Sequence, residues 1–167
     1  MGALYVFLTA GMMPMAGSGA CFTLATLANL ERSKFSQAFW YGCSHRGSWG
    51  FKDALHKKYK VFYALKMFGD IVKGYSTICA SKSAGSVTLF PVKDAAGRKA
   101  LLVIDYGGSS RRISVNVAGI PDGVETSCIL LDDKHDLEPH KATFARGRLE
   151  LVKPDFHAAA FFVTFGQ

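Results

Sequence analysis

The sequence predicts an α+β, mainly β protein in which a short β-α-β-α segment precedes an antiparallel β-sandwich. Two observations support this prediction. Before residue 75, two stretches carry apolar residues at the three- and four-residue spacing of a helix. After it, short apolar runs alternate with turn residues at roughly ten-residue intervals, as in a sandwich. We therefore expect one domain over residues 1–75 and a second over residues 76–167.

The first segment contains two candidate strands and a candidate helix. Leu4–Thr9 is a continuous apolar run, which is typical of a strand covered on both faces. Ala20–Lys34 has the apolar spacing of a helix, and Ser18 is a suitable N-cap residue. Gln37–Tyr41 is a second short apolar run, followed at Gly42–Lys52 by a loop rich in glycine, serine and aromatic residues.

A second helix is predicted over Ala54–Lys73. Its apolar residues recur every three or four positions, and most of its lysines fall on other faces. Asp53 can cap its start, and Gly74 offers a left-handed residue after its end. The apolar positions are Leu55, Tyr59, Phe62, Leu65, Phe68 and Val72.

Short strands separated by turns are predicted after Tyr75. In Arg112–Val117 the alternation of apolar and polar residues indicates a strand with one buried face. The predicted strands are Ser86–Val92, Lys99–Tyr106, Arg112–Val117, Glu125–Leu131, Lys141–Phe144, Arg148–Val152 and Ala159–Phe165. The predicted turns are Asp94–Gly97, Gly107–Ser110, Pro121–Gly123, Asp132–Pro139 and Arg146–Gly147.

The four elements before the sandwich are too few to close a (β/α)8 barrel. Their order is nevertheless that of the last two units of such a barrel. The predicted fold is therefore an antiparallel β-sandwich preceded by the last two β/α units of a (β/α)8 barrel.

Charge and cysteine content narrow the function classes. Most of the net charge of +7 lies between Arg32 and Lys73, where a solvated helix face is a simpler explanation than a nucleic-acid footprint. A secretory signal begins with a basic region, but no Lys or Arg precedes Arg32. The apolar stretch Leu4–Met15 is too short to span a membrane. The four cysteines form no CxxC pair, which argues against zinc and favours free thiols. We expect a cytoplasmic protein with no cofactor, nucleic-acid partner or membrane partner.

Several stretches resemble a known family. Trp49-Gly50-Phe51 and Lys60–Asp70 (KVFYALKMFGD) are similar to the end of barrel glycosidases near glycoside hydrolase family 39, the β-xylosidase-like group. There an aromatic loop containing glycine follows the eighth strand, and a similar last helix leads into a small sandwich. The resemblance continues in Ser86–Asp94, Ala100–Gly107, Leu130–Asp136 and Ala159–Phe165.

The resemblance implies hydrolysis of O-glycosyl bonds with retention, by one Glu after the fourth barrel strand and another at the seventh. The fourth strand would precede Met1. The seventh would be Leu4–Thr9, which contains no Glu. We therefore expect no catalytic residue in this chain, and no activity of the chain alone.

A sugar-binding wall is predicted at the end of the proposed eighth strand, because substrates of α/β barrels bind at the carboxyl ends of the strands. Trp40, Tyr41, His45 and Trp49 lie there. Aromatic rings can stack on sugar rings, and histidine can donate a hydrogen bond to a hydroxyl. We take these four residues as candidates for binding an oligosaccharide. A polypeptide that carries the missing barrel portion is a candidate partner.

Two other interpretations remain open. The sandwich could be a non-catalytic carbohydrate-binding module, although no cluster of aromatic residues is evident on its strands. The uncharged start and the Lys-rich helix could instead belong to a small membrane-associated basic protein. The polar group Asp132, Asp133, His135 and Asp136 is interpreted as a turn rather than as a metal or catalytic site.

Overall fold

The computed structural model describes residues 16–33, 50–53 and 55–166. Two helices come first, α1 over Gly17–Arg32 and α2 over Lys60–Gly74. The strands that follow are β1 (Thr77–Ile78), β2 (Val87–Lys93), β3 (Lys99–Asp105), β4 (Arg112–Asn116), β5 (Thr126–Leu131), β6 (Asp136–Pro139), β7 (Ala142–Ala145), β8 (Arg148–Val152) and β9 (Ala159–Phe165).

The strands form two antiparallel sheets. The larger has six strands in the order β1-β2-β3-β9-β5-β6, and the smaller has three in the order β4-β8-β7. Strand β9 pairs with β3 on one side and with β5 on the other. The predicted α+β, mainly β class with an antiparallel sandwich is confirmed.

The middle strands of the six-stranded sheet are buried on both faces. In β3 the side chains of Ala100, Leu102 and Ile104 belong to the core under the helices, whereas Leu101 and Val103 belong to the core between the sheets. Successive side chains of a strand point to opposite faces, so one apolar run serves both cores. The molecule therefore has three layers, which are the helices, the six-stranded sheet and the three-stranded sheet.

Helices α1 and α2 pack against each other and cover one face of the six-stranded sheet. Leu24 of α1 and Ile71 of α2 are buried in this core. The ring of Phe68 lies 5.5 Å from that of Phe90 in β2.

The buried face of α2 differs from the one predicted. Of the predicted apolar positions only Phe68 is buried, and Val72 is 40% exposed. The residues buried on α2 are Val61, Ala64, Met67, Phe68 and Ile71.

The start of α2 differs from the prediction. The helix begins at Lys60, with Tyr59 as its N-cap, and not at Ala54. Asp53 does not cap the helix, because its Oδ1 accepts hydrogen bonds from the backbone N–H groups of Leu55 (2.9 Å) and Lys57 (2.8 Å). Those bonds close a separate turn before the helix, in which Leu55 is 88% exposed. The prediction placed the helix start too early because it counted the apolar Leu55 as part of the helix.

The start of α1 also differs. The helix begins at Gly17, three residues before the predicted start at Ala20, so Ser18 lies inside its first turn rather than at the N-cap. It ends at Arg32, two residues before the predicted end at Lys34.

The seven strands predicted after Tyr75 are confirmed to within one residue at each end, and two strands, β1 and β6, were missed. β1 has only two residues. β6 lies within the predicted turn Asp132–Pro139, where its polar sequence and the left-handed Leu137 (φ 67°) conceal a strand. The turn at Arg146–Gly147 is confirmed as a two-residue hairpin connection with both residues left-handed (φ 51° and 71°).

Several predictions lie outside the described residues or are not tested by them. The predicted strands Leu4–Thr9 and Gln37–Tyr41 fall outside the described ranges, so the two β/α units stay a prediction. The division at residue 75 also stays a prediction. Within the described ranges, neither helix has the length and apolar character needed to cross a bilayer.

Substituting Phe90 tests the core that the helices share with the sheet. Phe90→Ala is expected to lower the free energy of unfolding by about 3–5 kcal/mol, because it leaves a cavity against Phe68. Urea unfolding of the variant measures this change. Phe156→Ala, at a ring that is 65% exposed, is the matched control and should change stability by less than about 1 kcal/mol. Similar losses in both variants would contradict the packing described here.

Candidate functional site

The four predicted sugar-binding residues Trp40, Tyr41, His45 and Trp49 lie outside the described residues. Their role therefore stays a prediction. The loop that follows them is tied to the start of α2, because the Tyr59 N–H donates to the Phe51 carbonyl over 2.8 Å.

All 13 Asp and Glu side chains of the chain lie within the described ranges. Most of them are held by neighbouring cations or by backbone N–H groups. Ion pairs join Asp70 to Lys66, Asp94 to Arg98, Asp105 to Lys153, Asp136 to Lys60 and Glu150 to Arg148.

The pair Asp105–Lys153 is the most deeply buried of these. Asp105 ends β3 of the six-stranded sheet, and Lys153 directly follows β8 of the three-stranded sheet. The Lys153 Nζ donates to Asp105 Oδ2 over 2.6 Å and to the Gly108 carbonyl over 2.8 Å. The two side chains are 2% and 0% exposed. The pair therefore joins the two sheets at one end of the sandwich.

The second oxygen of Asp105 is also satisfied. Its Oδ1 accepts hydrogen bonds from the Ser86 hydroxyl (2.7 Å) and from the Gly108 N–H (2.8 Å). A Cβ on Gly108 would lie 2.6–2.7 Å from both carboxylate oxygens and from the Ser86 hydroxyl. Glycine is therefore required where the loop passes the carboxylate.

Three carboxyl groups have pKa values below their ordinary range. Burial by itself would raise the pKa of Asp105, but hydrogen bonds from Lys153 and other donors bring it below its ordinary value. In Asp94 the bonds from Arg98 likewise outweigh burial, and a bond from a hydroxyl lowers the pKa of Glu150. A lowered pKa is the opposite of what the general acid of a glycosidase requires.

The N-terminus of α1 is bound by a distant carboxylate. Asp133 Oδ1 accepts a hydrogen bond from the Gly17 N–H over 2.5 Å, although the two residues are 116 positions apart. A Cβ on Gly17 would lie 2.7 Å from the Asp133 backbone nitrogen and 2.9 Å from the Asp132 carbonyl carbon. The first turn of α1 therefore rests directly on the turn between β5 and β6.

Of the polar group Asp132, Asp133, His135 and Asp136, the first three lie in the turn between β5 and β6, and Asp136 begins β6. Asp132 Oδ1 accepts bonds from the N–H groups of Lys134 and His135 and contacts His135 Nδ1, all at 2.7–2.8 Å. Among the described residues, Asp132 Oδ2 is buried without a partner, and no three His, Cys, Asp or Glu side chains are arranged to hold a metal ion. The group stabilises the β5–β6 turn and the start of α1.

The cysteines of the described residues are free thiols. Cys21 and Cys128 are buried, and burial raises the pKa of both, to about 12 for Cys128. Such thiols stay protonated at neutral pH and are poor nucleophiles. The cytoplasmic location expected from the cysteines stays a prediction.

Sequence reasoning missed the contact between Asp105 and Lys153. An acidic residue ending an apolar run and a lysine following a strand were each visible. The residues are 48 positions apart, however, and nothing in the sequence links them.

Removing the ammonium group tests the buried pair. Lys153→Met leaves the Asp105 carboxylate buried without a counter-charge, and we expect the free energy of unfolding to fall by about 3–5 kcal/mol in urea at neutral pH. The double variant Lys153→Met/Asp105→Leu should recover most of that loss. A double variant no more stable than the single one would contradict this account.

The same pair should make stability acid-sensitive. Because the pKa of Asp105 is lower in the folded than in the unfolded protein, its carboxylate stabilises the fold above the unfolded pKa of about 3.9. That contribution is lost as the pH falls through the folded pKa. Between pH 6 and pH 2, urea unfolding should therefore show a steeper loss in the unmodified chain than in the double variant, and equal slopes would refute the assignment.

The Asp133 cap can be tested in the same way. Asp133→Ala should lower the free energy of unfolding by about 1 kcal/mol and speed amide exchange at Gly17. Asp133→Asn retains an acceptor oxygen and should lose less. Unchanged exchange at Gly17 in Asp133→Ala would show that the bond does not hold the helix start.

Comparison with known proteins identifies the fold. No family model and no curated protein matches the sequence. Solved structures do match, including a family 30 subfamily 8 xylanase of Clostridium acetobutylicum, with a TM-score of 0.68 and 14% identity over 91% of this chain and 40% of that one. A family 39 glycoside hydrolase of Bacteroides cellulosilyticus WH2 matches with a TM-score of 0.63 and 14% identity over 87% of this chain and 30% of that one.

A third match is CelM2, a bifunctional glucanase-xylanase from a metagenome library, with a TM-score of 0.70 and 14% identity over 92% of this chain and 29% of that one. The chain spans about two fifths of the length of the first of these structures. The predicted resemblance to family 39 is thus confirmed at the level of fold, and the chain has a fold found in glycoside hydrolases of families 30 and 39.

Proposed function

We propose that this chain is the C-terminal part of a barrel glycoside hydrolase of the β-xylosidase-like type, which hydrolyses O-glycosyl bonds. Helices α1 and α2 are then the last two barrel helices, and the sandwich supports them. The observation that carries the proposal is the joint match of both helices and both sheets, since 87–92% of the chain superposes on parts of two xylanases and a family 39 enzyme.

The contacts between helices and sheets support a bracing role for the sandwich. At one end of α1 Gly17 is bound by Asp133, and at the other the Arg32 guanidinium donates to the Ser81 hydroxyl over 2.8 Å. Lys60, at the start of α2, pairs with Asp136 of β6 over 2.6 Å. Three ends of the two helices are thereby fixed to the sandwich.

The carboxylates support the absence of activity in the chain alone. A retaining glycosidase needs two carboxyl groups about 5 Å apart on opposite sides of one sugar. The most buried carboxylates here, Asp105 and Asp132, are held by an ion pair and by turn hydrogen bonds. The proposal therefore assigns neither catalytic glutamate to these 167 residues.

In this proposal the chain contributes one wall of the sugar site. Trp40, Tyr41, His45 and Trp49 would line it at the end of the eighth strand, with the aromatic rings stacked on an oligosaccharide. The substrate class, a xylose-type oligosaccharide, comes from the resemblance and from the xylanases among the structural matches.

One observation favours the alternative of a carbohydrate-binding sandwich. Tyr106 and Phe156 are 44% and 65% exposed, and the Arg111 guanidinium lies 5.8 Å from the centre of the Phe156 ring. Arg111 also donates to the Pro154 carbonyl, so the loops after β3 and β8 are in contact. An exposed ring beside a cation, as at Phe156, is suited to stacking on a sugar. A test must therefore distinguish this part of the sandwich from the predicted tryptophan site.

Tryptophan fluorescence provides that test, because Trp40 and Trp49 are the two tryptophans of the chain. Xylohexaose is expected to change their emission without release of reducing sugar. Trp40→Ala and Trp49→Ala should each weaken the affinity at least about tenfold, equivalent to ~1.4 kcal/mol. Affinity should be unchanged in Tyr106→Ala and Phe156→Ala, the matched controls.

Three outcomes would contradict the proposal. Hydrolysis of xylohexaose by the purified chain would place catalytic groups within it. Loss of binding in Phe156→Ala with retention in Trp40→Ala would favour the binding module. An unbroken reading frame with its own start signals, and no barrel-encoding sequence upstream in any frame, would remove the proposed partner.

A further inference from the structure

A groove of about 640 Å³ opens along one side of the sandwich, between β2 of the large sheet and β4 of the small one. Its floor includes Val87, Leu89 and Pro91, half-buried side chains of β2. The groove arises because the three strands of the small sheet cover only part of the six-stranded sheet.

The wall of the groove is a strand with one unpaired edge. Within the described residues, β4 pairs with β8 alone. Val117 N–H bonds to the Gly147 carbonyl over 2.8 Å, and Lys153 N–H bonds to the Arg111 carbonyl over 2.8 Å. Because alternate residues of an antiparallel strand bond to the same neighbour, the odd-numbered residues of this strand face β8. The N–H and C=O groups of Ser114 and Asn116 therefore point toward the groove.

One end of this edge is already closed. The Ser110 hydroxyl donates to the Arg112 carbonyl (2.9 Å) and accepts from the Arg112 N–H (3.2 Å). By contrast, in the part of the chain that the structure describes, no hydrogen bond is made by the outward backbone N–H and C=O groups of Ser114 and Asn116. The open edge thus offers two donors and two acceptors from adjacent outward-facing residues.

The charges that line the groove have one sign. Lys82 and Lys99 contribute to its lining, which contains no Asp or Glu. The Lys99 ammonium group uses one of its donors on the Gly119 carbonyl, at 2.6 Å. Lys82 is exposed. An occupant with carboxylates would therefore find complementary charge here.

The lining favours a polypeptide over a sugar chain. Sugar sites are typically walled by exposed aromatic rings, whereas the one aromatic residue lining this groove, Phe165, is only 6% exposed. Aliphatic side chains beside unpaired strand groups are instead the combination used when an extended peptide adds a strand to a sheet.

We propose that this groove binds an extended, acidic segment of a second polypeptide, which adds as a strand to the open edge of β4. The backbone of the segment pairs with Ser114 and Asn116. Its apolar side chains lie on the β2 floor, and its carboxylates approach Lys82 and Lys99. The lining of the groove includes none of the residues of the proposed sugar site, and this proposal does not depend on the glycosidase proposal.

A labelled peptide of sequence EVTVEVT, acetylated and amidated at its ends, is a suitable probe. Fluorescence anisotropy with the full chain should show saturable binding with a Kd below about 1 mM. Ser114→Pro removes the outward N–H group and should weaken binding at least about tenfold. Proline is tolerated in an edge strand at a position whose nitrogen faces away from the neighbouring strand. Ser114→Ala is the matched control, because it loses only the hydroxyl and should bind as the unmodified chain does.

Charge reversal tests the same site without altering the backbone, so the result stands even if Ser114→Pro misfolds. Lys82→Glu should weaken binding of EVTVEVT and strengthen binding of the matched peptide KVTVKVT. Absence of saturable binding, or equal affinities in the unmodified chain and Lys82→Glu, would overturn the proposal.

Two other occupants would also overturn it. Xylohexaose that displaces the peptide would identify the groove as a sugar site. A concentration-dependent dimer that blocks the peptide, measured by sedimentation, would identify the occupant as a second copy of the chain.

Discussion

The middle of the six-stranded sheet is buried on both faces, and this double burial governs how the rest of the chain is placed. Strands β3 and β9 supply apolar side chains alternately to the helix core and to the inter-sheet core. Without α1 and α2, one face would expose Phe90, Leu102 and Ile104 to water. The helices therefore cover apolar side chains that the large sheet would otherwise expose to water.

Polar side chains determine how the layers meet, while apolar area provides most of the stability. The pair Asp105–Lys153 joins the sheets at one end, and Asp133 fixes the start of α1 over the β5–β6 turn. A buried ion pair contributes little net stability compared with apolar residues of the same shape, but a mispaired arrangement would leave a charge unsatisfied in the core. These contacts are thus best understood as selecting one arrangement of layers among several with similar apolar burial.

Local features of the fold could be predicted from the sequence, whereas contacts between distant segments could not. Alternation in Arg112–Val117 and the turn at Arg146–Gly147 identified strands and a hairpin, because their causes lie within a few residues. The start of α2 was misplaced because Leu55 continues the apolar spacing yet is held in a turn by Asp53. The placement of β9 and the Asp105–Lys153 contact depend on tertiary packing. The predicted sugar site, Trp40 to Trp49, lies outside the described residues.

The position of β9 has a consequence for how this protein is made. Residues 159–165 are the last strand of the described chain, yet they lie between β3 and β5. During synthesis the preceding strands emerge first as two separate groups, each with an open edge and uncovered apolar side chains. Both cores then close in a single late step. A premature stop before residue 159 would leave both hydrophobic cores exposed. Chaperones and proteases would then recognise the truncated product as unfolded, and it would not persist as a partly functional domain.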